Sequence, residues 1–491
     1  MIGAGFSGMS AACFMARSGW EVEVLEKHDI PGGRARQLKV NGFSFDMGPS
    51  WYWMPDVFER FFKSFDKDVS DFYKLKRLDP SYRIYWNESK TDVPANYEEL
   101  RSLFESIEAG AALNLDKFLE EAKFKYDTGI KKLVFKPGES LSEFLDLDLM
   151  KGMLRLDVFT SMKKHVGKFF KNYKLKQLIE FPVLFLGALP ENTPALYSLM
   201  NYADIKLGTW YPEGGMYSII KGMQKLAEGL GVKFSFGRNV TGFNFTDKVI
   251  TAVETVSKNT GDEEEQHLCD VVIASADYHY IENALLPKDL QSYSDKYWET
   301  RSMAPSCILY YVGLNKKLKS VIHHSLFFDV NFDRHAKDIY TSPSWPEAPL
   351  FYVCTSSVSD IDVAPAGCEN LFFLIPIAAG LQGDNENLRD NYFSMIVKRF
   401  EKYIGEEITS SIIFKQSFGP ENFINDYNAF KGNAYGLANT LMQTANLKPS
   451  CRSKKVNNLF YTGQLTVPGP GVPPALISGE VVANQVGKYF N

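Results

Sequence analysis

The sequence lacks the features on which several chemistries depend. Its six cysteines, Cys13, Cys269, Cys307, Cys354, Cys368 and Cys451, include no C-x-x-C pair, which argues against a zinc knuckle and a redox dithiol. They read as reduced thiols of an intracellular chain. The seven histidines form no H-E-x-x-H, and the adjacent His323 and His324 lack the helical spacing that would aim both at one metal; no metal is expected. No stretch reaches the ~18 continuous apolar residues of a membrane-spanning helix, and the longest candidates, Phe181 to Leu189 and Leu371 to Leu381, are interrupted by proline. Positive charge is not in excess either: 54 basic residues face 59 acidic ones, a net charge of -5, so no general attraction for nucleic acid is expected. No signal peptide is evident, because the amino terminus opens directly into a glycine motif. These absences point to a cytoplasmic protein, or one that sits on a membrane without crossing it.

What the chain does contain is enough apolar material for large cores. At 491 residues and 45% hydrophobic, two interwoven domains are the natural expectation. The opening reads as loop, helix and strand: Gly3-x-Gly5-x-x-Gly8, small and apolar residues from Met9 to Ala16, Gly19 as a helix stop, and a strand from Trp20 to Glu26 in which Val22 and Val24 alternate with Glu21 and Glu23. Only Met1 and Ile2 precede Gly3, so the first strand is unusually short or begins outside this sequence. Further on, Val249 to Val256 and Leu268 to Ile273 read as strands around the polar loop Lys258 to Glu265. Residues 100–180 are helical in spacing and rich in lysine. Residues 295–415 mix strands such as Cys307 to Val312 and Leu371 to Ile377 with a helix from Asn391 to Tyr403.

The glycine loop is a dinucleotide signature with a mechanism. Gly3 permits a tight turn, Gly5 lets backbone approach a pyrophosphate, and Gly8 lets helix pack on strand, with Ser7 beside them. The helix that follows offers unpaired N–H groups and a positive dipole end. Glu26, 18 residues after Gly8, is placed to accept ribose hydroxyls. A second glycine loop, Pro31-Gly32-Gly33-Arg34-Ala35-Arg36, then brings two guanidinium groups suited to phosphate, and Phe45-Asp46-Met47-Gly48-Pro49-Ser50 makes another turn close behind. Two phosphate-facing loops on one ribose carboxylate suit the long diphosphate of FAD.

With its GGR loop the sequence resembles the FAD-dependent amine-oxidase-like flavoproteins, and Leu459 to Pro474 looks like that superfamily's second flavin motif. Within it the chain is most similar to bacterial carotenoid desaturases of the phytoene desaturase type, a group that includes hydroxycarotenoid 3,4-desaturases. The resemblance spans nearly the whole chain: Gly48 to Trp53, Pro190 to Tyr197, Gly208 to Met216, Gly432 to Gly436 and the closing segment match in order. That family's last motif more often carries His and Ala where this chain has Val467 and Pro470, so no catalytic role is carried to position 467. The resemblance implies an α/β fold, in which a Rossmann-like FAD-binding domain (residues 1–80, 215–290 and 440–491) is interwoven with a mixed α+β substrate-binding and membrane-associating domain (81–214 and 291–439).

The cofactor-binding residues implied are Gly3, Gly5, Ser7, Gly8, Glu26, Gly32, Gly33, Arg34, Arg36, Gly48, Ser50, Trp51, Val240, Gly463, Gln464, Gly471, Val472 and Pro473. Gly463 would lie beside the ribityl chain, and Pro473-Pro474 would begin a helix whose N–H groups face the flavin pyrimidine. Desaturation of a C40 carotenoid fits removal of a hydride to the flavin and of a proton from the neighbouring carbon, for which the protein mainly excludes water and positions the chain. Asp204 and Glu213 are the candidate proton acceptors, and Trp53, Phe185, Tyr197, Trp210 and Tyr211 the candidate substrate-lining residues. Either phytoene or a hydroxylated carotenoid suits the reading, with oxygen or a quinone as electron acceptor. A cis-trans isomerase of the same family, a prenyl-lipid carrier that has lost flavin, and an amine oxidase are the alternatives. Finally, residues 151–180 hold eight basic residues against two acids, a local net of +6, with Val158, Met162, Val166, Phe169 and Tyr173 at helical spacing. A basic amphipathic helix docking on anionic lipid is expected there.

Overall fold

The computed structural model describes residues 1–139, 157, 159–184, 189–258 and 263–490. Short apolar segments from widely separated parts of the chain form a parallel sheet at its amino-terminal end. Glu23–Glu26 pairs with Lys233–Phe236, and Val272–Ala274 pairs with Leu459–Tyr461. Ile2 sits between these pairs, bridging Leu25 on one side and Ala274 on the other. Its N–H donates to Ile273 O at 2.9 Å, its carbonyl accepts from Ser275 N at 2.8 Å, and Gly3 N donates to Leu25 O at 2.8 Å. Met1 O also accepts from Leu25 N at 2.8 Å, so Met1 to Gly3 lie between the two strand pairs.

Phe6–Arg17 forms a helix directly after this bridge, and its small residues let the last helix, Val472–Phe490, cross it closely. A Cβ on Gly479 would stand 2.5 Å from Ser7 O and 2.6 Å from Ala11 N. Ser10 Oγ donates across the crossing to Leu476 O at 2.7 Å. Beside the parallel sheet, Arg238–Thr246, Val249–Ser257 and Glu264–Leu268 make an antiparallel three-stranded sheet. The strand expected over Leu268 to Ile273 is two pieces: Leu268 ends the hairpin partner, and Val272 starts a parallel strand in the other sheet. One apolar run was shared between two sheets, which periodicity cannot register.

The second body is a seven-stranded sheet in the order Ile412–Phe418, Ser306–Leu314, Glu369–Ile377, Phe351–Cys354, His324–Phe327, Tyr82–Tyr85 and Lys90–Val93. All neighbours run antiparallel except His324–Phe327 with Tyr82–Tyr85. Ser306–Leu314 is buried along its whole length, so side chains on both faces are apolar and only their alternation separates two cores. Ile308, Tyr310 and Val312 pack with Phe393, Ile396 and Phe400 of the helix Glu386–Ile404. Cys307, Leu309 and Tyr311 point the other way, into the main core.

The lysine-rich region is helical, as Tyr97–Ile107, Ala111–Thr128, Met162–Phe169 and Tyr173–Leu184. The single amphipathic helix expected over 151–180 is interrupted, because Phe170 leaves Met162–Phe169 in an extended conformation. Its apolar stripe is also spent differently. Met162 and Val166 are wholly buried in the protein core, Phe169 is half-buried, and Tyr173 is exposed together with Lys163, Lys164, Lys168 and Lys171; Val158 lies outside the described residues. Among the described residues no helix is long and apolar enough to cross a membrane.

Candidate functional site

A cavity of about 750 Å³ opens between the two sheets and runs past the start of both the first and the last helix. This lies within the roughly 300–1,000 Å³ of a small-molecule site. Of the residues singled out from sequence as cofactor-binding, Gly3, Gly5, Ser7, Glu26, Gly32, Gly33, Arg34, Gly48, Ser50, Trp51, Val240, Gly463, Gln464, Gly471, Val472 and Pro473 all line it. Gly8 does not. It lies where the first helix meets the strand loop, and a Cβ there would be 2.1 Å from Gly3 O, so its contribution is the close packing that seats the helix.

The donors and acceptors on this wall can be counted. Glu26 Oε2 accepts from Ala4 N at 2.7 Å and Oε1 accepts from His28 N at 2.9 Å. A carboxylate has about four acceptor positions, so each oxygen keeps capacity for a hydroxyl in the cavity. Burial raises the pKa of Glu26 and these two backbone bonds oppose it. The first helix begins at Gly5, with no side-chain cap and no acidic residue in its first turn, leaving its N–H groups and dipole for an anion. Arg34 is a half-buried cation whose pKa is lowered by desolvation. Its guanidinium donates to Asn433 O at 3.2 Å and lies over the Tyr427 ring, but its Nε has no partner and it makes no ion pair among the described residues. The nearby Asp277 carboxylate, also on the cavity wall, offsets part of its charge without an ion pair, and the guanidinium keeps donors for a further anion. Ribose acceptors, an uncapped helix start and a guanidinium with spare donors together fit the ribose and diphosphate of FAD.

Arg36 is not brought to this wall. It pairs with Asp426, and also donates to Tyr427 OH at 3.1 Å and contacts His28 Nδ1 at 2.9 Å, so the second guanidinium braces the loop. Asp46, which sequence reading passed over, links two of the family-like motifs: its carboxylate accepts from Met216 N at 2.7 Å and Tyr217 N at 3.1 Å at the start of the helix Tyr217–Gly229. Burial pushes its pKa up to about 7.

The two candidate proton acceptors are placed elsewhere. Asp204 is buried, with Oδ2 accepting from Tyr82 OH at 2.9 Å and Oδ1 from Thr209 Oγ1 at 3.0 Å; Thr209 in turn accepts from Trp53 Nε1 at 2.8 Å. Burial raises the Asp204 pKa to about 6, yet the residue does not line the cavity and serves as a brace between motifs. Glu213 is exposed. Of the substrate-lining candidates, Trp53 and Tyr197 are on the cavity wall. Trp210 and Tyr211 are not, because the strand Trp210–Pro212 pairs with Leu75–Arg77 and turns them to other partners. Trp210 Nε1 donates to Leu207 O at 2.9 Å, and Tyr211 OH donates to Asp360 at 3.0 Å. Phe185 lies outside the described residues.

The opposite wall comes from the seven-stranded sheet: Cys307, Leu309, Tyr352 and Leu374 face the cavity. None was singled out from sequence; strand alternation had the signal, but not which face met the cavity. His324 and Cys354 are directly opposed in the ladder, and together with His323 their ligand-type atoms lie within 4.8 Å of one another, all three residues being buried. That proximity was invisible in the linear spacing of the histidine pair.

A family model for flavin containing amine oxidoreductases matches residues 6–487. A carotenoid 3,4-desaturase of Haloarcula japonica, an archaeon, is 40% identical over 488 residues, covering 99% of this chain and 97% of that protein. A zeta-carotene-forming phytoene desaturase of Myxococcus xanthus is 28% identical over 496 residues, covering 99% and 93%. Among solved structures, an oxidoreductase from Methanosarcina mazei superposes with a TM-score of 0.62 at 15% identity, covering 98% of this chain and 99% of that one.

Proposed function

The chain belongs to the flavin containing amine oxidoreductase family, and we propose on that premise that it is an FAD-dependent desaturase forming the 3,4 double bond of a carotenoid. The observation that carries the choice of bond is the margin between relatives: 40% identity with the 3,4-desaturase against 28% with the phytoene desaturase, both over nearly the full chain. Bound FAD supplies a two-electron acceptor for the hydride. Glu26 would hold its ribose, the first helix and Arg34 its diphosphate, and the start of the last helix the flavin pyrimidine. The cofactor domain is then 1–80, 215–290 and 440–491, with the substrate bound by 81–214 and 291–439.

The remaining wall has the character a polyene requires. Leu309, Leu374, Cys307 and Trp53 offer apolar surface and exclude water, so an extended hydrocarbon is held by shape and the hydride transfer proceeds in a dry site. Among the described residues the carboxylates on the cavity wall are Glu26, Asp277 and Asp426; at the apolar residues positioning and desolvation are the protein's main contribution.

A membrane surface is the source of so insoluble a substrate. Phe159 and Tyr173 are 82% and 58% exposed, beside the exposed Lys163, Lys164, Lys168 and Lys171. Each basic residue near anionic lipid contributes about 1 kcal/mol, so peripheral docking through this face is favoured, with oxygen or a quinone reoxidising the flavin.

The test is anaerobic. FAD-loaded protein is mixed with liposomes carrying phytoene or a more unsaturated acyclic carotenoid, and flavin bleaching and product mass are followed. Bleaching with loss of two hydrogens from the second substrate is expected. Repeated dehydrogenation of phytoene would move the assignment to the phytoene desaturase type, and a change of geometry without change of mass would make the protein an isomerase.

A further inference from the structure

The seven-stranded sheet carries a cluster that the flavin site does not use. His324, His323 and Cys354 are 0%, 4% and 7% exposed, and none of them lines the cavity. One ligand-type atom of each lies within 4.8 Å of the other two. The fold makes that meeting in two steps. His324 and Cys354 are directly opposed across an antiparallel pair, which puts both side chains on one face of the sheet. His323 stands just before the strand, and instead of taking the opposite face its ring lies 4.4 Å from that of His324, at 75°. Both rings are held in place. His323 Nδ1 is 2.9 Å from Ser359 Oγ, and His324 Nδ1 is 2.6 Å from Tyr352 OH, itself 3.0 Å from Ser50 Oγ. Tyr352 OH is also hydrogen-bonded to the Cys354 thiol. Trp51 stacks on His324 at 4.1 Å and 7°. The Nε2 atom of each histidine, by contrast, is buried and has no hydrogen-bond partner. A buried polar atom left without a partner costs about 1–3 kcal/mol, an arrangement that persists where a further atom completes it.

We propose that His323, His324 and Cys354 hold a soft d10 metal ion, Cu+ or Zn2+, through the two Nε2 atoms and the sulfur. The inference is independent of the desaturase reading. The tautomers agree with it: with Nδ1–H of each ring donating to its hydroxyl partner, each Nε2 keeps a lone pair, and such partners on the far nitrogen are what orients a ligating histidine. Burial keeps both imidazoles neutral, the form that ligates. Bonds of about 2.0 Å to nitrogen and 2.3 Å to sulfur require only small rotations from the observed spacing. Binding replaces the proton on the Cys354 sulfur, which leaves to solvent, so the ligand set has a charge of -1. A thiolate with two imidazoles suits either ion. Cu+ leaves the buried site neutral, whereas Zn2+ leaves one positive charge, which the Asp360 carboxylate beside His323 would face. The ion would join two strands and the residue before them beneath Tyr352, which is on the cavity wall, so its role is to fix that wall.

The experiment measures the metal content of the FAD-loaded protein, purified without a metal-affinity tag from cells grown with added copper or, separately, added zinc. About one ion per chain is expected from at least one culture, and the pair of cultures tells which ion the site takes. Cys354→Ser and His324→Gln are each expected to lose the ion, whereas Cys368→Ser, which alters a thiol outside the cluster, keeps it. Flavin content of the variants shows whether they have folded. X-ray absorption at the metal edge of the wild-type protein gives a readout that does not depend on any variant: one sulfur at about 2.3 Å and two imidazole nitrogens at about 2.0 Å are expected. Substoichiometric metal from both cultures overturns the proposal. So does an ion retained by Cys354→Ser, or one with no sulfur neighbour, since either places the metal elsewhere on the chain.

Discussion

The two walls of the cavity are built on opposite plans. The cofactor-side wall is made of loops and helix starts: Gly3 to Ser7, Gly32 to Arg34 and Gly471 to Pro473 present backbone N–H groups and the Arg34 guanidinium, with the Glu26 carboxylate beside them. The sheet-side wall is made of side chains from strands far apart in sequence, Cys307, Leu309, Tyr352 and Leu374, and is apolar except where Tyr352 meets Ser50 and Trp51. Binding on the first wall is electrostatic and local, whereas on the second it is a matter of shape, volume and one uncharged hydrogen-bond chain. A residue on the first wall is accordingly expected to control cofactor affinity, and one on the second to control substrate choice and stability.

The largest expected effect that would break this division is at Glu26. Glu26→Ala removes the acceptor of Ala4 N and His28 N together with that of the ribose hydroxyls. Charge-assisted bonds of this kind contribute about 1.5–3 kcal/mol each, so flavin affinity should fall by about 10³-fold, measured by equilibrium dialysis of the visible flavin absorbance. Retention of stoichiometric flavin would move cofactor recognition off this wall.

A smaller and more diagnostic effect is expected from Arg34→Met. It deletes a half-buried cation that makes no ion pair among the described residues but is attracted through space to Asp277. Two unequal changes should appear: the flavin-free protein melts at nearly the same temperature, because relief of the guanidinium's desolvation is offset by loss of its attraction for Asp277, whereas the flavin binds more weakly. Calorimetry with and without FAD separates them. Equal destabilisation of both forms would show that Arg34 is an ordinary brace, as Arg36 is with Asp426.

The smallest effect belongs to the sheet side and concerns pH. His323 is buried and its pKa is lowered to about 3, from an ordinary value of 6.5, chiefly by that burial. A group whose folded pKa is depressed contributes stability that is present above the unfolded value and is lost as pH falls towards the folded one. The flavin-free protein should therefore lose stability as pH drops below about 6.5, and His323→Gln should flatten that slope in urea titrations at several pH values. The same titration carries an opposing signal from Asp204, raised to about 6 by burial, whose contribution falls as pH rises from about 4 through 6. His323→Gln leaving the slope unchanged would mean that other groups set it.

The cofactor-side wall was largely legible before the fold was known. Glycine spacing, Glu26 and the Gly32 to Arg34 loop are read from contiguous residues, because a tight turn and a helix start are local events. Reading failed where a residue's partner was distant. Arg36 looked like Arg34 in the same loop, but Asp426, 390 residues on, captures it. Trp210 and Tyr211 looked like a pocket lining until pairing with Leu75–Arg77 fixed which way they point. Likewise the stripe Met162 and Val166 had the period of a lipid-facing helix, yet period alone does not say whether water, lipid or protein covers a face.

The amino-acid sequence by itself pointed to FAD through its glycine loops and to the family the chain belongs to, and showed that no apolar run has the length of a membrane span. Only the tertiary structure decided that Ile2 bridges Leu25 and Ala274 in the centre of the parallel sheet, that Asp204 and Glu213 stand away from the cavity, and that Ser50, Tyr352 and His324 form one hydrogen-bonded chain. The reason is physical. Turns and helix starts are set by the preferences of neighbouring residues, whereas the register of a strand against a partner hundreds of residues away is chosen by the packing of the whole sheet, and that register decides which side chains meet.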